Sequence, residues 1–339
     1  MLVNKLNLDE SNIVELLSAT GPLQELLFAA ARAARKQAYG DRVVLRGVTE
    51  ITNVCRVNCD YCPMRRDNTR NNHTFLLDPS AIFQVAEAIA ENGINIVFFQ
   101  GGEIPQTTRL VGSLIPRIRR LFDDRVEILL NLGLKRRDEY AYLRDQGATS
   151  YILKHETSDP KLNERLRHES YKRRIQGLQD LLDLGFRVGT GMITGLPGQS
   201  PQSLARDILL ARDLGVHMCS ASPFVPAPNT PLEQEPAGAV DTALNALAIM
   251  RLVSPSWLIP AVSALEKNQE GGQLAGFHAG ANVMTVNFTP ETQRGRYLIY
   301  GKDRFVVRSE HARQTIRAAG LRPARSVFAQ PPVKVPVPA

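Results

Sequence analysis

Apolar and polar positions alternate along this chain in two rhythms that take turns. Residues 8–36 place Leu16, Leu23, Leu26, Leu27 and Ala30 near helical spacing, with Asp9 or Ser11 available as a cap. Residues 42–53, RVVLRGVTEITN, switch to alternating and β-branched positions, the pattern of a strand. The pair of patterns then recurs. Helical periodicity at 79–93, 109–122, 136–147, 171–185, 201–215, 240–253 and 267–279 precedes strand-like runs at 94–100, 126–133, 149–156, 186–195, 216–224, 256–264 and 280–288. Gly93, Gly147, Gly185 and Gly215 stand just past the last periodic residue of their helices, where a left-handed cap ends a helix.

Strands alternating with helices through short loops imply parallel pairing and right-handed crossovers. Eight such strands predict an α/β fold, a (β/α)8 TIM-type barrel, complete or nearly so. An open doubly wound sheet is the competing architecture, and it wants fewer units. The expected organisation is an N-terminal helical extension over 1–41, the barrel over 42–288, a short helix-and-turn appendage over 289–322 and an extended, proline-rich tail over 323–339.

Composition narrows the function classes. The formal charge is +7, concentrated in runs such as MRRDNTR (64–70), PRIRRLFDDR (116–125), RLRHESYKRR (165–174) and RPAR (322–325). A mild basic excess favours anionic ligands. Aromatics are only 6% and interleave with no long basic stripe, which argues against a nucleic-acid binder. No apolar run reaches the ~18 residues of a membrane span, and the N-terminus lacks the order of a secretory signal. Four cysteines, three of them clustered, read as a metal site in a reducing compartment, so the expected location is cytoplasmic.

That cluster lies in ITNVCRVNCDYCPMRRDN (51–68). Cys55, Cys59 and Cys62 follow the first strand in C-x3-C-x2-C spacing, which in a barrel is the catalytic face. Three thiolates hold three corners of a cubane iron–sulfur cluster and leave the fourth iron open to a ligand. A structural zinc site would want a fourth ligand, for which His73 or Cys219 would serve. A purely electron-carrying cluster would take a fourth cysteine. Chance core packing is the blandest reading, and it suits Cys219 better than the trio.

The motif, with Tyr61 before the third cysteine, resembles the radical S-adenosylmethionine (SAM) superfamily. The resemblance implies a 4Fe-4S cluster on Cys55, Cys59 and Cys62, with SAM chelating the open iron. It also implies reductive cleavage of SAM to a 5′-deoxyadenosyl radical that abstracts hydrogen from a small substrate. QGGE (100–103) resembles the family's GGE motif, so that Gly101, Gly102 and Glu103 would meet the methionine amino group. The segment HETSDPKLNERLRHESYKRR (155–174) is similar to a subgroup containing biotin synthase, the biotin-synthase-type [FeFe]-hydrogenase maturase and methylornithine synthase. There Glu156 would bind the ribose or ammonium and Arg174 the carboxylate, a surface ion pair being the plainer reading of the two. GTGMITGLPGQSPQSL (189–204) resembles the same subgroup, with Gly195, Gly198 and a cap at Ser200 admitting the adenine or ribose. GFHAGANVMTVNFTP (276–290) extends the resemblance, which covers about 42–320.

The chain departs from biotin synthase in ways that matter. Gly189 stands where that enzyme has a cysteine and Ala261 where it has an arginine, and Cys219 alone holds no second cluster. Sulfur insertion is thereby disfavoured unless a partner supplies the sulfur. Thr190, Thr194, His155, His217, Ser220, Ser222, Asn287 and Arg65, near predicted strand ends, suggest a small polar substrate such as an amino acid or carboxylate. The expected partner is a flavodoxin- or ferredoxin-type electron donor, with no nucleic acid and no membrane. A non-catalytic, zinc-stapled binding module is the alternative from another class.

Overall fold

The computed structural model describes residues 8–69 and 73–324. Most of the proline-rich tail, and the basic residues Arg70 and Arg325, lie outside the described residues. The chain opens with α1 (Glu10–Leu17) and α2 (Gly21–Tyr39). A continuous helix over 8–36 is not what forms. The two helices meet at a bend of 118°, where Gly21 takes a φ of 54° and Pro22 follows. A proline ring cannot continue a preceding helix but suits the first turn of a new one. Asp9 caps α1, its Oδ1 accepting from the Asn12 N–H at 2.9 Å.

The alternating units follow in order: β1 (Arg42–Thr52), α3 (Pro79–Glu91), β2 (Ile96–Gly101), α4 (Gln106–Leu121), β3 (Glu127–Asn131), α5 (Arg137–Asp145) and β4 (Ser150–Ile152). Next come α6 (Pro160–Arg167), α7 (Tyr171–Asp183), β5 (Arg187–Thr194), α8 (Pro201–Asp213), β6 (Met218–Pro223) and α9 (Val240–Val253). The chain continues through α10 (Ser263–Asn268), α11 (Gly272–His278), β7 (Val283–Asn287), α12 (Glu291–Arg294), α13 (Ser309–Ala318) and β8 (Arg322–Pro323). The single helix expected over 267–279 is two short ones, and α6 falls inside a segment for which no separate helix was expected.

The strands pair in the order β6-β5-β4-β3-β2-β1-β7, all parallel, and the sheet curls through 252°. The expected strand at 256–264 does not form a full ladder. It makes single parallel bridges, Leu258 to Met218 on one side and Pro260 to Val283 on the other. Pro260 has no N–H to give a ladder, which confines such a segment to isolated bridges. It nevertheless spans the gap between β6 and β7 and brings the barrel close to closure. β8 adds a short parallel pair to the start of β1.

The main apolar core lies between the sheet and the helices, around Ile89, Phe99, Leu130, Tyr151, Ile208 and Leu247. A second cluster, Val44, Val48, Ile96, Phe98, Leu129, Met218, Leu258 and Val283, fills the inside of the barrel near the strands' N-terminal ends. It acts as a floor, so the hollow above it faces the strands' C-terminal ends.

Candidate functional site

Strand β1 stops at Thr52, and the next residues are fastened to the neighbouring strand's end. Gly102 N–H donates to Thr52 O (3.1 Å) and Arg56 N–H to Glu103 O (3.0 Å). Glu103 N–H donates to Cys55 Sγ (3.4 Å). The two segments approach so closely that a Cβ on Gly102 would lie 2.0 Å from Val54 O. Glycine is required there by backbone proximity. The loop closes on itself through Cys62 N–H to Cys59 O (3.3 Å), Arg65 N–H to Cys62 O (3.0 Å) and Arg66 N–H to Val57 O (2.9 Å).

All three clustered cysteines face one cavity of about 190 Å³. Burial, then the neighbouring thiols, push the Cys62 thiol far above its ordinary range; burial also raises Cys55. Among the described residues no three His, Cys, Asp or Glu side chains gather tightly enough for one metal ion. Three free thiols lining one cavity are a donor set suited to an iron–sulfur cluster that leaves one iron to a further ligand.

The rest of that cavity is lined by buried charge. Asp60 N–H donates to Leu166 O (2.8 Å), docking α6 under the cysteine loop. This places Arg167, whose Nη1 donates to Tyr61 Oη (3.0 Å). Burial and the nearby Cys59 hold the Tyr61 hydroxyl well above its usual range, so it stays neutral. Glu103, 6% exposed, has both oxygens engaged: Oε1 by Arg56, and Oε2 by the Leu134 N–H at 2.7 Å. Arg56 reaches on to Glu169 as well (2.9 Å).

Glu156 and Arg174 differ from Glu103. Arg174 donates through Nε to Lys154 O (2.8 Å), but its buried Nη1 has no hydrogen-bond partner and lies 3.7 Å from Glu103 Oε2. Burial lowers the Arg174 pKa, Arg167 adding to it. Glu156 Oε2 is also buried without a hydrogen-bond partner, the nearest cation being Lys154 Nζ at 3.8 Å. Its φ of 66° lies in the positive range that a residue with a side chain seldom adopts. A buried acceptor and a buried donor, each without a hydrogen-bond partner and both lining one cavity, are what a ligand carrying hydroxyl donors and a carboxylate would complete. Ile193, Phe224 and Val225 add an apolar part to the lining.

A second cavity of similar size occupies the barrel above its floor, and Asn131, Lys154, Ile299 and Tyr300 line both. Arg46 points into it from β1, 3% exposed. Its Nη2 donates to Met218 Sδ (3.1 Å), its Nε has no partner, and burial pulls its pKa down to about 10. Residues 289–307 run across the mouth as a strap. Arg304 grips Glu50 with both nitrogens (2.6 and 2.7 Å), and the Thr289 hydroxyl donates to Glu50 Oε2 (3.1 Å).

Of the residues singled out in the sequence, Cys55, Cys59, Tyr61, Cys62, Gly101, Gly102, Glu103, Glu156 and Arg174 line the first cavity. Gly195 does not: it is exposed, and a Cβ there would strike Gly238 Cα at 2.7 Å, so the geometry gives it a packing role. Ser200 caps α8, accepting from the Ser203 N–H at 3.1 Å. Ser222 lines the first cavity; Thr190, Ser220 and Asn287 line the second, together with Cys219. Thr194, His155, His217 and Arg65 line neither. Sequence reasoning missed Arg46, Lys154, Arg167, Tyr297, Tyr300 and Arg304. For Arg46 a signal existed: it shares strand parity with Val44 and Val48, so it must share their inward face.

Comparison with known proteins identifies the family. The radical SAM superfamily model matches residues 49–211. The "[FeFe] hydrogenase maturase subunit HydE" of Thermotoga maritima is 34% identical over 278 residues, 81% of this chain and 79% of that one. Biotin synthase of an Anaeromyxobacter species (strain Fw109-5) is 27% identical over 283 residues, 81% of this chain and 76% of that one. In fold, the crystal structure of methylornithine synthase (PylB) superposes with a TM-score of 0.83 at 23% identity, covering 95% of this chain and 96% of that one. The chain belongs to the radical SAM superfamily and is an enzyme of its biotin synthase, HydE and PylB type.

Proposed function

We propose that this enzyme binds one 4Fe-4S cluster through Cys55, Cys59 and Cys62 and binds SAM in the cavity beside it. The bound pair supplies one-electron cleavage of the sulfonium and a 5′-deoxyadenosyl radical that takes hydrogen from a small polar substrate. The observation that supports this reading is that Glu156 Oε2 and Arg174 Nη1, both lining the cavity of the three thiols, are buried without hydrogen-bond partners.

The roles of the chain's own groups follow from their surroundings. Arg174, held by Lys154 O, offers its fork to the ligand's carboxylate. Glu103 would receive the ligand's ammonium in place of Arg56, which keeps its second partner, Glu169. Glu156 takes the ribose hydroxyls, and Ile193, Phe224 and Val225 take the apolar side of the nucleoside. Tyr297, Ile299 and Tyr300 on the strap shield the cavity from water. The cysteine loop meets solvent at Arg56, Arg66 and Asp67, where a flavodoxin- or ferredoxin-type donor approaches.

The barrel cavity is the substrate chamber of this reading. Glu50 is neutralised by Arg304, which leaves Arg46 and Lys154 as the cations facing it, beside Gln100, Thr190 and Ser220. That favours a carboxylate or amino-acid substrate. The test is anaerobic incubation of the cluster-loaded protein with a reductant and deuterated amino acids and carboxylates, following label into 5′-deoxyadenosine. Label transfer from a member of that class is expected. No cleavage of SAM under reducing conditions, or zinc in place of iron, overturns the reading.

A further inference from the structure

Glu156 owes its aim to an irregular piece of backbone. β4 pairs Ile152 with Gly189, and pairing resumes with Glu156 opposite Met192. One side advances by four residues while the other advances by three, which is a bulge with one extra residue. Within it Thr157 N–H donates back to His155 O (2.9 Å) across Glu156, whose φ is positive. That is a γ-turn of the rare, strained hand. Such turns persist only where their surroundings over-determine them.

Asn163 on α6 supplies that constraint. It is 1% exposed, and its Nδ2 donates to both carbonyls flanking Glu156, His155 O at 2.6 Å and Thr157 O at 3.0 Å. Its Oδ1 is buried with no partner, so the side chain is held there by its two donors alone. From the other side, the Thr190 hydroxyl accepts the His155 N–H (3.2 Å) and bonds to the His155 ring (2.9 Å). Asn163 is not among the residues that line the cavity.

We infer that Asn163 is a positioning residue that clamps the γ-turn at Glu156 and so presents the Glu156 carboxyl to the nucleoside. This rests on the reading of Glu156 as a SAM contact. Because α6 also docks the cysteine loop through Leu166, one helix registers the ribose contact against the cluster ligands.

Two cycles test it on the full, cluster-loaded chain. In the first, SAM affinity is measured by equilibrium binding. Asn163→Ala weakens it at least tenfold in the native background and less than twofold when Glu156→Ala is already present. Native affinity in Asn163→Ala, or an equal loss in both backgrounds, overturns the clamp. In the second, thermal midpoints are compared with Glu156→Gly, since glycine adopts positive φ without strain. Asn163→Ala lowers the midpoint less in that background; equal drops overturn the clamp. If Asn163→Ala alone does not fold, recovery of folding in the double variant with Glu156→Gly supports the clamp, and its failure to recover overturns it. Unchanged SAM affinity in Glu156→Ala by itself refutes the role of Glu156, and the thermal cycle then still decides the clamp.

Discussion

The two cavities share a wall but are built in opposite ways. The first is built around short local motifs: three cysteines within eight residues, Gly102 held free of a side chain by the approach of Val54 O, and the bulge at Glu156. The second takes single residues from many strands, with Arg46 and Glu50 from β1, Gln100 from β2, Thr190 from β5 and Ser220 from β6. A cofactor seat common to many reactions can be a local motif. A substrate chamber is assembled by tertiary structure and varies residue by residue.

Three substitutions sharpen that contrast, in decreasing order of effect. Cys59→Ala should remove the cluster altogether, with iron per chain and SAM cleavage both falling to background in anaerobic assays. Retained cleavage would place the chemistry elsewhere. Arg304→Met leaves Glu50, 1% exposed, as a buried charge without its main partner. Breaking such a pair costs about 3–5 kcal/mol, measurable by denaturant unfolding, and it frees the strap from the chamber mouth. If stability is unchanged, the latch is not what holds the strap. Arg46→Met keeps the floor apolar and relieves a desolvated cation, so stability should hold or rise slightly. SAM affinity should stay within about twofold while substrate-dependent SAM consumption falls about tenfold, or ~1.4 kcal/mol. An equal loss of both would mean the two cavities are not separate in function.

What the sequence made legible divides along the same line. Seven of the eight expected strands pair as ladders, because apolar alternation and glycine stops are local signals. The eighth failed at Pro260, whose missing N–H was visible in the sequence but outweighed by the apolar run WLIPAV. The helix break at Gly21-Pro22 was equally visible and was overrun by periodicity on either side. Nine site residues come together around one cavity. Gly195 does not, because a glycine demanded by Gly238 looks in sequence the same as one demanded by a ligand. Lys154 and Tyr300 carried no local mark at all: their place on the shared wall depends on the bulge and on the strap, both set by contacts far apart in the chain.

The strap's anchorage has a mechanical consequence. Glu50, its fastening point, precedes Cys55 by five residues on the same stretch of chain, and Asn53 between them is tied to the strap through Arg296 O (2.8 Å). Any displacement of the strap would therefore be transmitted to the segment that carries the three cysteines. The mouth of the barrel cavity and the cysteine loop are thus joined by a tether a few residues long.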